Sequence, residues 1–273
     1  MTRYTWRTGT LEAVMIVIAL IFMVPIYVLV NLSVREQSDL TSPLLPTQNP
    51  TFGNFAVAWE KSGLAQAMVN STLITVISVG LLVVVGAMCA YALARATARW
   101  SSPAFYLFMI GLLIPFQLGL VPLYRNFAAM GLLGSVVPLV IIYIGLRLPF
   151  TLFLYTTFLR QIPAEYEEAA AIDGAGIFTR FRRVVFPLLR PITGTVIILN
   201  GLFVWNDFLT PLLYLSGSVN RTVPLAVYSF VNDNTTIWPL VFAALIISVI
   251  PVLIAFFIFQ KTLIKGFASG VKG

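Results

Sequence analysis

The sequence predicts an all-α membrane protein with six transmembrane helices and both termini in the cytoplasm. Composition, the length of its charge-free runs and the placement of Lys and Arg carry that reading. Of 273 residues, 59% are hydrophobic and 10% charged, against about 25% charged in soluble domains. Long runs hold no charge at all, among them 13–34, 62–94, 100–124 and 234–260. Each exceeds the roughly 20 apolar residues that cross the hydrocarbon layer as a helix.

The expected spans are 13–31, 72–94, 104–124, 136–158, 193–213 and 238–259. The first follows Arg3 and Arg7 as a signal peptide would, but it is too long for an h-region and lacks an A-x-A-like cleavage site. The second and third are free of charge. Arg147 interrupts the fourth and Asp207 the outer part of the fifth. The sixth closes the last charge-free run.

Orientation follows from the excess of Lys and Arg on cytoplasmic loops. Arg3, Arg7, Arg95, Arg99, Arg160, Arg180, Arg182, Arg183, Arg190, Lys261, Lys265 and Lys272 fall on one side. Arg35, Lys61, Arg125 and Arg221 fall on the other. Twelve against four places both termini and the 163–187 segment in the cytoplasm. The net charge of +7 is this same bias, suited to anionic lipid headgroups rather than to nucleic acid.

Absences narrow the function. The chain has no histidine, which removes histidine triads, relays and metal sites. Its one cysteine, Cys89, lies within the second span, so no intrachain disulfide forms. No Gly-rich phosphate loop occurs. The expectation is a chain without catalytic residues, metal or cofactor of its own.

The polar segment 163–187 is the most informative stretch. Pro163 suits a first helical turn, and Glu165, Glu167 and Glu168 favour the positive end of a helix. Small helix formers follow to Ile172, and Gly174 permits a sharp turn. A second short helix is expected over 178–185, with Arg180, Arg182 and Arg183 on its polar side and Pro187 ending the loop. The expected shape is an L of two short helices with small residues at the elbow. Read from charges alone, it is also what an ordinary interfacial helix pair looks like.

The spacing says more. Glu168-Ala169-Ala170, three residues, Gly174, nine residues and Val184-Val185-Phe186-Pro187 resemble the EAA loop of ABC importer permeases, Glu-Ala-Ala-x3-Gly-x9-Ile-x-Leu-Pro. Val184 stands for the Ile and Phe186 for the Leu. Ile162 to Ala175 as a whole, Trp205-Asn206-Asp207-Phe208, Asn70-Ser71, Pro122-Leu123-Tyr124, Gly131-Leu132-Leu133 and Leu148-Pro149-Phe150 resemble carbohydrate ABC importer permeases of the MalG type. So do the last residues, Gly270, Val271, Lys272 and Gly273. The resemblance covers nearly the whole chain.

It implies the type I ABC importer permease fold, with residues 1–273 as a single transmembrane domain in a bacterial plasma (inner) membrane. The implied partners are a second, F-type permease, two ATPase subunits that bind ATP and Mg, and an extracytoplasmic sugar-binding protein. The resemblance assigns ATPase coupling to the 163–187 loop, with Glu165, Glu168, Ala169, Ala170, Asp173, Gly174, Arg180 and Pro187. It assigns binding-protein docking to the external loop 214–237, with Asn220, Arg221, Thr222 and Pro224; the bland alternative is a plain solvated loop. It sends the tail, 264–273, to the ATPase interface.

Arg147, Asn206 and Asp207 are translocation-path candidates. Ionisable groups at membrane depth are costly and face the bundle interior or water, so Arg147 and Asp207 are expected to face the path or each other. A helix-pinning pair is the structural alternative. An ABC importer for a non-sugar solute remains open. A secondary transporter would need several intramembrane carboxylates, and only Asp207 is a candidate. A membrane enzyme would need a catalytic constellation the chain lacks.

Overall fold

Backbone groups inside hydrocarbon have no water to bond, so long apolar runs close their hydrogen bonds within helices. A computed structural model describes residues 6–96, 99–231 and 236–270, and among them no strand occurs. In chain order the helices are α1 (Trp6–Ser33), α2 (Gly53–Lys61), α3 (Leu64–Arg95), α4 (Ser101–Gly111), α5 (Leu120–Ala129), α6 (Val137–Leu159) and α7 (Glu165–Ile172). They continue with α8 (Ile177–Arg180), α9 (Phe186–Leu188), α10 (Arg190–Asn206), α11 (Leu209–Tyr214), α12 (Val223–Tyr228) and α13 (Trp238–Gly270).

Four helices, α1, α3, α6 and α13, are long and apolar enough to cross a membrane unbroken. The count reaches six when two bent pairs are each taken as one span. The third expected span is such a pair: α4 stops at Gly111, and the chain resumes at Phe116 at 85° to it. Pro115 is the local cause. It has no N–H to donate, and its ring disfavours helical backbone at Ile114. The fifth span is also corrected. α10 starts at Arg190 and ends at Asn206, because Asp207 takes up extended backbone (φ −69°, ψ 127°). Asp207 therefore sits at a break between α10 and α11, outside the helix that was expected to contain it.

The chain forms two compact units, residues 1–65 with 226–250, and residues 66–225 with 251–273. In the first, the proline-rich segment after α1 is an ordered knot around Arg35, which is 1% exposed. Its guanidinium donates to the carbonyls of Thr41, Ser42 and Leu45, at 2.7, 3.2 and 2.6 Å. Asn31 donates to Pro43 and Leu45, and Asn54 to the carbonyls of Ser33 and Arg35. The Thr41 hydroxyl and backbone N–H hold the half-buried Asp39 carboxyl below the usual carboxylate range. Prolines cannot supply ladder donors, so side chains satisfy this loop's carbonyls instead.

In the second unit, α3, α6 and α10 share an apolar core of Val79, Val83, Ala87, Leu152, Tyr155, Leu159, Ile192 and Val196. A small residue sets the α3–α6 approach. A Cβ on Gly86 would lie 2.5 Å from Cγ2 of Thr151. Thr151 is not free to turn away: its hydroxyl donates to the Arg147 carbonyl at 2.9 Å and accepts from Asn200 Nδ2 at 3.1 Å.

Gly86→Ala should therefore destabilise the protein by about 1–3 kcal/mol, the usual cost of overpacking a filled core. Gly80→Ala on the same helix, with nothing within 4 Å of its Cβ, is the matched control. Thermal unfolding in detergent followed by near-UV circular dichroism should show a lower midpoint for the first variant alone.

Candidate functional site

The elbow of the 163–187 segment is built by backbone chemistry. α7 begins at Glu165, two residues beyond Pro163, and its first turn holds Glu165, Glu167 and Glu168. It ends at Ile172, and beyond the cap residue Asp173 stands Gly174, whose φ of +81° lies in the left-handed region. The Gly174 N–H donates to Ala171 and the Ala175 N–H to Ala170, at 3.0 and 2.9 Å. That pair of bonds is a Schellman cap, which satisfies the last carbonyls of α7 and reverses the chain within two residues.

The second arm is longer than expected. It starts at Ile177 and passes through a π-helical turn, Phe181–Val185, into α9, then bends by 75° into α10 at Leu189. Pro187 lies inside this arm, on the first turn of α9, and does not end the loop. The elbow is also less small-sided than expected. Beside exposed Ala169, Asp173 and Gly174 stand Ile172, 88% exposed, and Phe178, 64% exposed. Glu165 and Glu168 are exposed, while Ala170, Arg180 and Pro187 are half-buried.

The carboxylate that anchors the elbow is Glu167, which sequence reasoning did not single out. It is buried, and its Oε1 accepts from Arg95 Nε at 2.8 Å. Arg95 also donates to the Ile162 carbonyl at 2.9 Å. The two residues are 72 positions apart, and no local spacing links them. The end of α3 is thereby tied to the start of the loop.

The outer-loop candidates are held by the start of α3. Asn70 donates to the Arg221 carbonyl at 3.1 Å, and the Val223 N–H donates to Ser71 at 2.9 Å. Asn220 donates to the Gly134 carbonyl, and the Gly134 N–H donates to Tyr214. Thr222 is buried and Pro224 half-buried, so among these four candidates Arg221 is the one exposed. Asn70 and Ser71 thus satisfy the backbone where the chain turns into α12.

The intramembrane charges are not partners of each other. Arg147 Nε donates to Asn200 Oδ1 at 2.8 Å, and its guanidinium lies over the rings of Phe150 and Phe203, at 4.6 and 4.4 Å. Asp207 accepts from the Tyr143 hydroxyl at 2.9 Å. Asn206 is exposed, and its amide turns back to the Leu202 carbonyl of its own helix. Asn200 and Tyr143 were missed, although a signal existed. Residues 143, 147, 150 and 151 share one face of a helix, and so do 196, 200 and 203. Gly270 is the last residue of α13, whereas the tail residues Val271, Lys272 and Gly273 lie outside the described residues.

Comparison with known proteins shows the family and the fold. Residues 82–269 match the family described as binding-protein-dependent transport system inner membrane component. The chain is 34% identical over 272 residues to the melibiose/raffinose/stachyose import permease protein MelC of Bacillus subtilis, covering 98% of this chain and 99% of that protein. It is 32% identical to the multiple sugar-binding transport system permease protein MsmG of Streptococcus mutans, over 92% of both chains. A solved bacterial ABC transporter involved in import of the acidic polysaccharide alginate superposes on it with a TM-score of 0.80. That match covers 96% of this chain and 100% of that one at 22% identity, a likeness of fold.

Removing the Glu167 carboxylate, as in Glu167→Ala, should loosen the elbow by about 1–3 kcal/mol, since a charged hydrogen bond is lost beside a half-buried guanidinium. Backbone amides 165–175 should exchange with solvent roughly 10- to 100-fold faster. Arg95→Ala should act alike, and the double variant should be little worse than either single one. Additive effects would show that the two residues act separately.

Proposed function

Because this chain belongs to the family of binding-protein-dependent transport system inner membrane components, we propose that it is one half of the translocation pathway of an ATP-driven carbohydrate importer, moved through its 163–187 elbow. The family is one of non-catalytic permeases of the bacterial inner membrane. An ABC importer of this kind works with a partner permease, ATPases and a binding protein. We assign the partner permease to the F type and place ATP and Mg on two ATPase subunits. The carbohydrate reading is supported by what its relatives are named for: melibiose, raffinose and stachyose in one case, multiple sugars in another.

The observation that carries the mechanism is the exposed elbow. A cap-closed turn fixes the angle between two short arms, and Ile172 and Phe178 project from it among charged residues. Apolar side chains displayed on an ordered, charged loop mark a protein interface. Charges placed at its rim, Glu165, Glu168, Asp173 and Arg180, orient the partner more than they hold it. Ala169 and Ala170 allow close approach of the ATPase, and Pro187 stiffens the arm that leads into α10. A push on the elbow reaches α10 through that arm and α3 through Arg95–Glu167.

The remaining assignments follow the same frame. Residues 1–273 act as one transmembrane domain with both termini cytoplasmic, as the Lys and Arg distribution implies. The external loop 214–237 receives the binding protein. Arg221 makes the outward contact there, and Asn220, Thr222 and Pro224 shape the loop. The tail 264–273, ending in Gly270, Val271, Lys272 and Gly273, reaches the ATPase interface. Arg147, Asn206 and Asp207 lie along the path.

Gly174→Val is the decisive test. A β-branched residue in the left-handed region costs about 1–3 kcal/mol and unseats the cap. Membrane levels of the chain should stay within about twofold, while ATPase subunits should fail to co-purify and uptake should fall more than tenfold. Wild-type retention and uptake would sink the elbow as the coupling element.

A further inference from the structure

Arg147 stands near the middle of α6, with about 15 Å of helix before it and 18 Å after it at 1.5 Å per residue. A guanidinium at that depth is costly unless it meets water, a ligand or an opposite charge. Its Nε is satisfied by Asn200, and its guanidinium carbon lies over the rings of Phe150 and Phe203. Asn200 is itself locked by bonds to Thr151 and to the Val196 carbonyl, at 3.1 and 3.0 Å. The group is held like a plate in a rack. Its outer edge is a different matter: among the described residues no acceptor takes a hydrogen bond from either terminal nitrogen, and the side chain is half-exposed. A residue serving only to pin helices would have that edge satisfied inside the chain.

A turn away, Asp207 is also half-exposed and is held from one side by the Tyr143 hydroxyl. Tyr143 meets the Phe203 ring edge-on, with centroids 6.5 Å apart and planes at 89°. Phe203 therefore contacts both Arg147 and Tyr143. One wall presents a fixed pair of N–H donors, an aromatic ring and a carboxylate with lone pairs to spare. Donor fork, ring and acceptor together are what a polyhydroxylated ring recognises.

We propose that this wall contacts the permeating saccharide: the outer edge of Arg147 donates to a pair of its oxygens, either vicinal hydroxyls or a sugar carboxylate, while Asp207 accepts from a further hydroxyl. This rests on the importer reading above and adds a substrate contact on this subunit. Arg suits such a contact because its planar fork bonds two oxygens at once, whereas Lys offers a point charge. The Asn200 bond and the two ring contacts keep the fork oriented before the solute arrives.

The test uses the complete transporter, with its ATPases, partner permease and binding protein, reconstituted in proteoliposomes. Labelled melibiose, raffinose, maltotriose and trigalacturonate are the probes. For whichever probe the wild type imports, Arg147→Gln should cut uptake at least tenfold. ATP hydrolysis should still respond at least half as strongly to the loaded binding protein, because that response needs docking and closure rather than the wall. Phe203→Leu, which keeps the charge but loosens the rack, should cut uptake about three- to fivefold. If the permeant is neutral, Arg147→Lys should be as damaging as Arg147→Gln; if it is acidic, Arg147→Lys should retain most of the uptake. Uptake by Arg147→Gln within twofold of wild type would overturn the proposal. So would a parallel loss of uptake, ATPase response and partner-permease retention, which would assign Arg147 to an ion pair between subunits. Import of no saccharide by the wild type would instead remove the carbohydrate reading on which the proposal rests.

Discussion

A positive charge in the middle of an apolar helix governs how α6 and α10 meet. Arg147 has no carboxylate partner among the described residues, so the surrounding wall supplies what hydrocarbon cannot: an amide oxygen from Asn200 and two aromatic faces. Those bonds in turn fix Thr151, and Thr151 fixes how close α3 can come at Gly86. Three helices are therefore set against one another by one polar residue and the groups that accommodate it. In a low-dielectric setting such a network is either fully engaged or costly. The described bonds leave one edge of it available, and that edge has the chemistry for a polyhydroxylated ligand.

The 163–187 elbow follows a different logic. Its conformation comes from backbone hydrogen bonds closed by a glycine that alone adopts the required φ without strain. Its position comes from Arg95–Glu167, a pair formed across a long stretch of chain. Shape and attachment are thus separately encoded. A rigid elbow with exposed Ile172 and Phe178 can transmit a displacement from a partner without unfolding, and the buried carboxylate keeps it tied to α3 as well as to α10. The π-helical turn at Phe181–Val185 lies on the arm that would carry that displacement, a place where such turns are often found.

Much of this was legible in the residues. Charge-free run lengths located α1, α3 and α13, α6 was read as a span despite Arg147, and the Glu168 to Pro187 spacing located the elbow and its turning glycine. Runs of apolar residues do not report breaks, however. The third span bends at Pro115, whereas Pro149 and Pro251 lie inside continuous helices. Whether a proline breaks a helix depends on what packs against the freed carbonyl, which lies outside any local window. Asp207 was assigned to a span because its neighbours are apolar, but it ends α10. A buried arginine organises the proline-rich segment after α1, because carbonyls without backbone donors attract the nearest guanidinium.

The sequence alone determined membrane residence, helical class, the number of apolar segments and the place of the elbow. All of these follow from one-dimensional quantities: transfer free energy summed along a run, and φ restrictions at single residues. Only the tertiary structure decided that Arg147 bonds Asn200 rather than Asp207, that Glu167 rather than its acidic neighbours meets Arg95, and that Asn70 and Ser71 hold the outer turn. Those choices are pairings between residues far apart in sequence. They depend on which helix faces meet, and helix propensity and hydropathy carry no record of that.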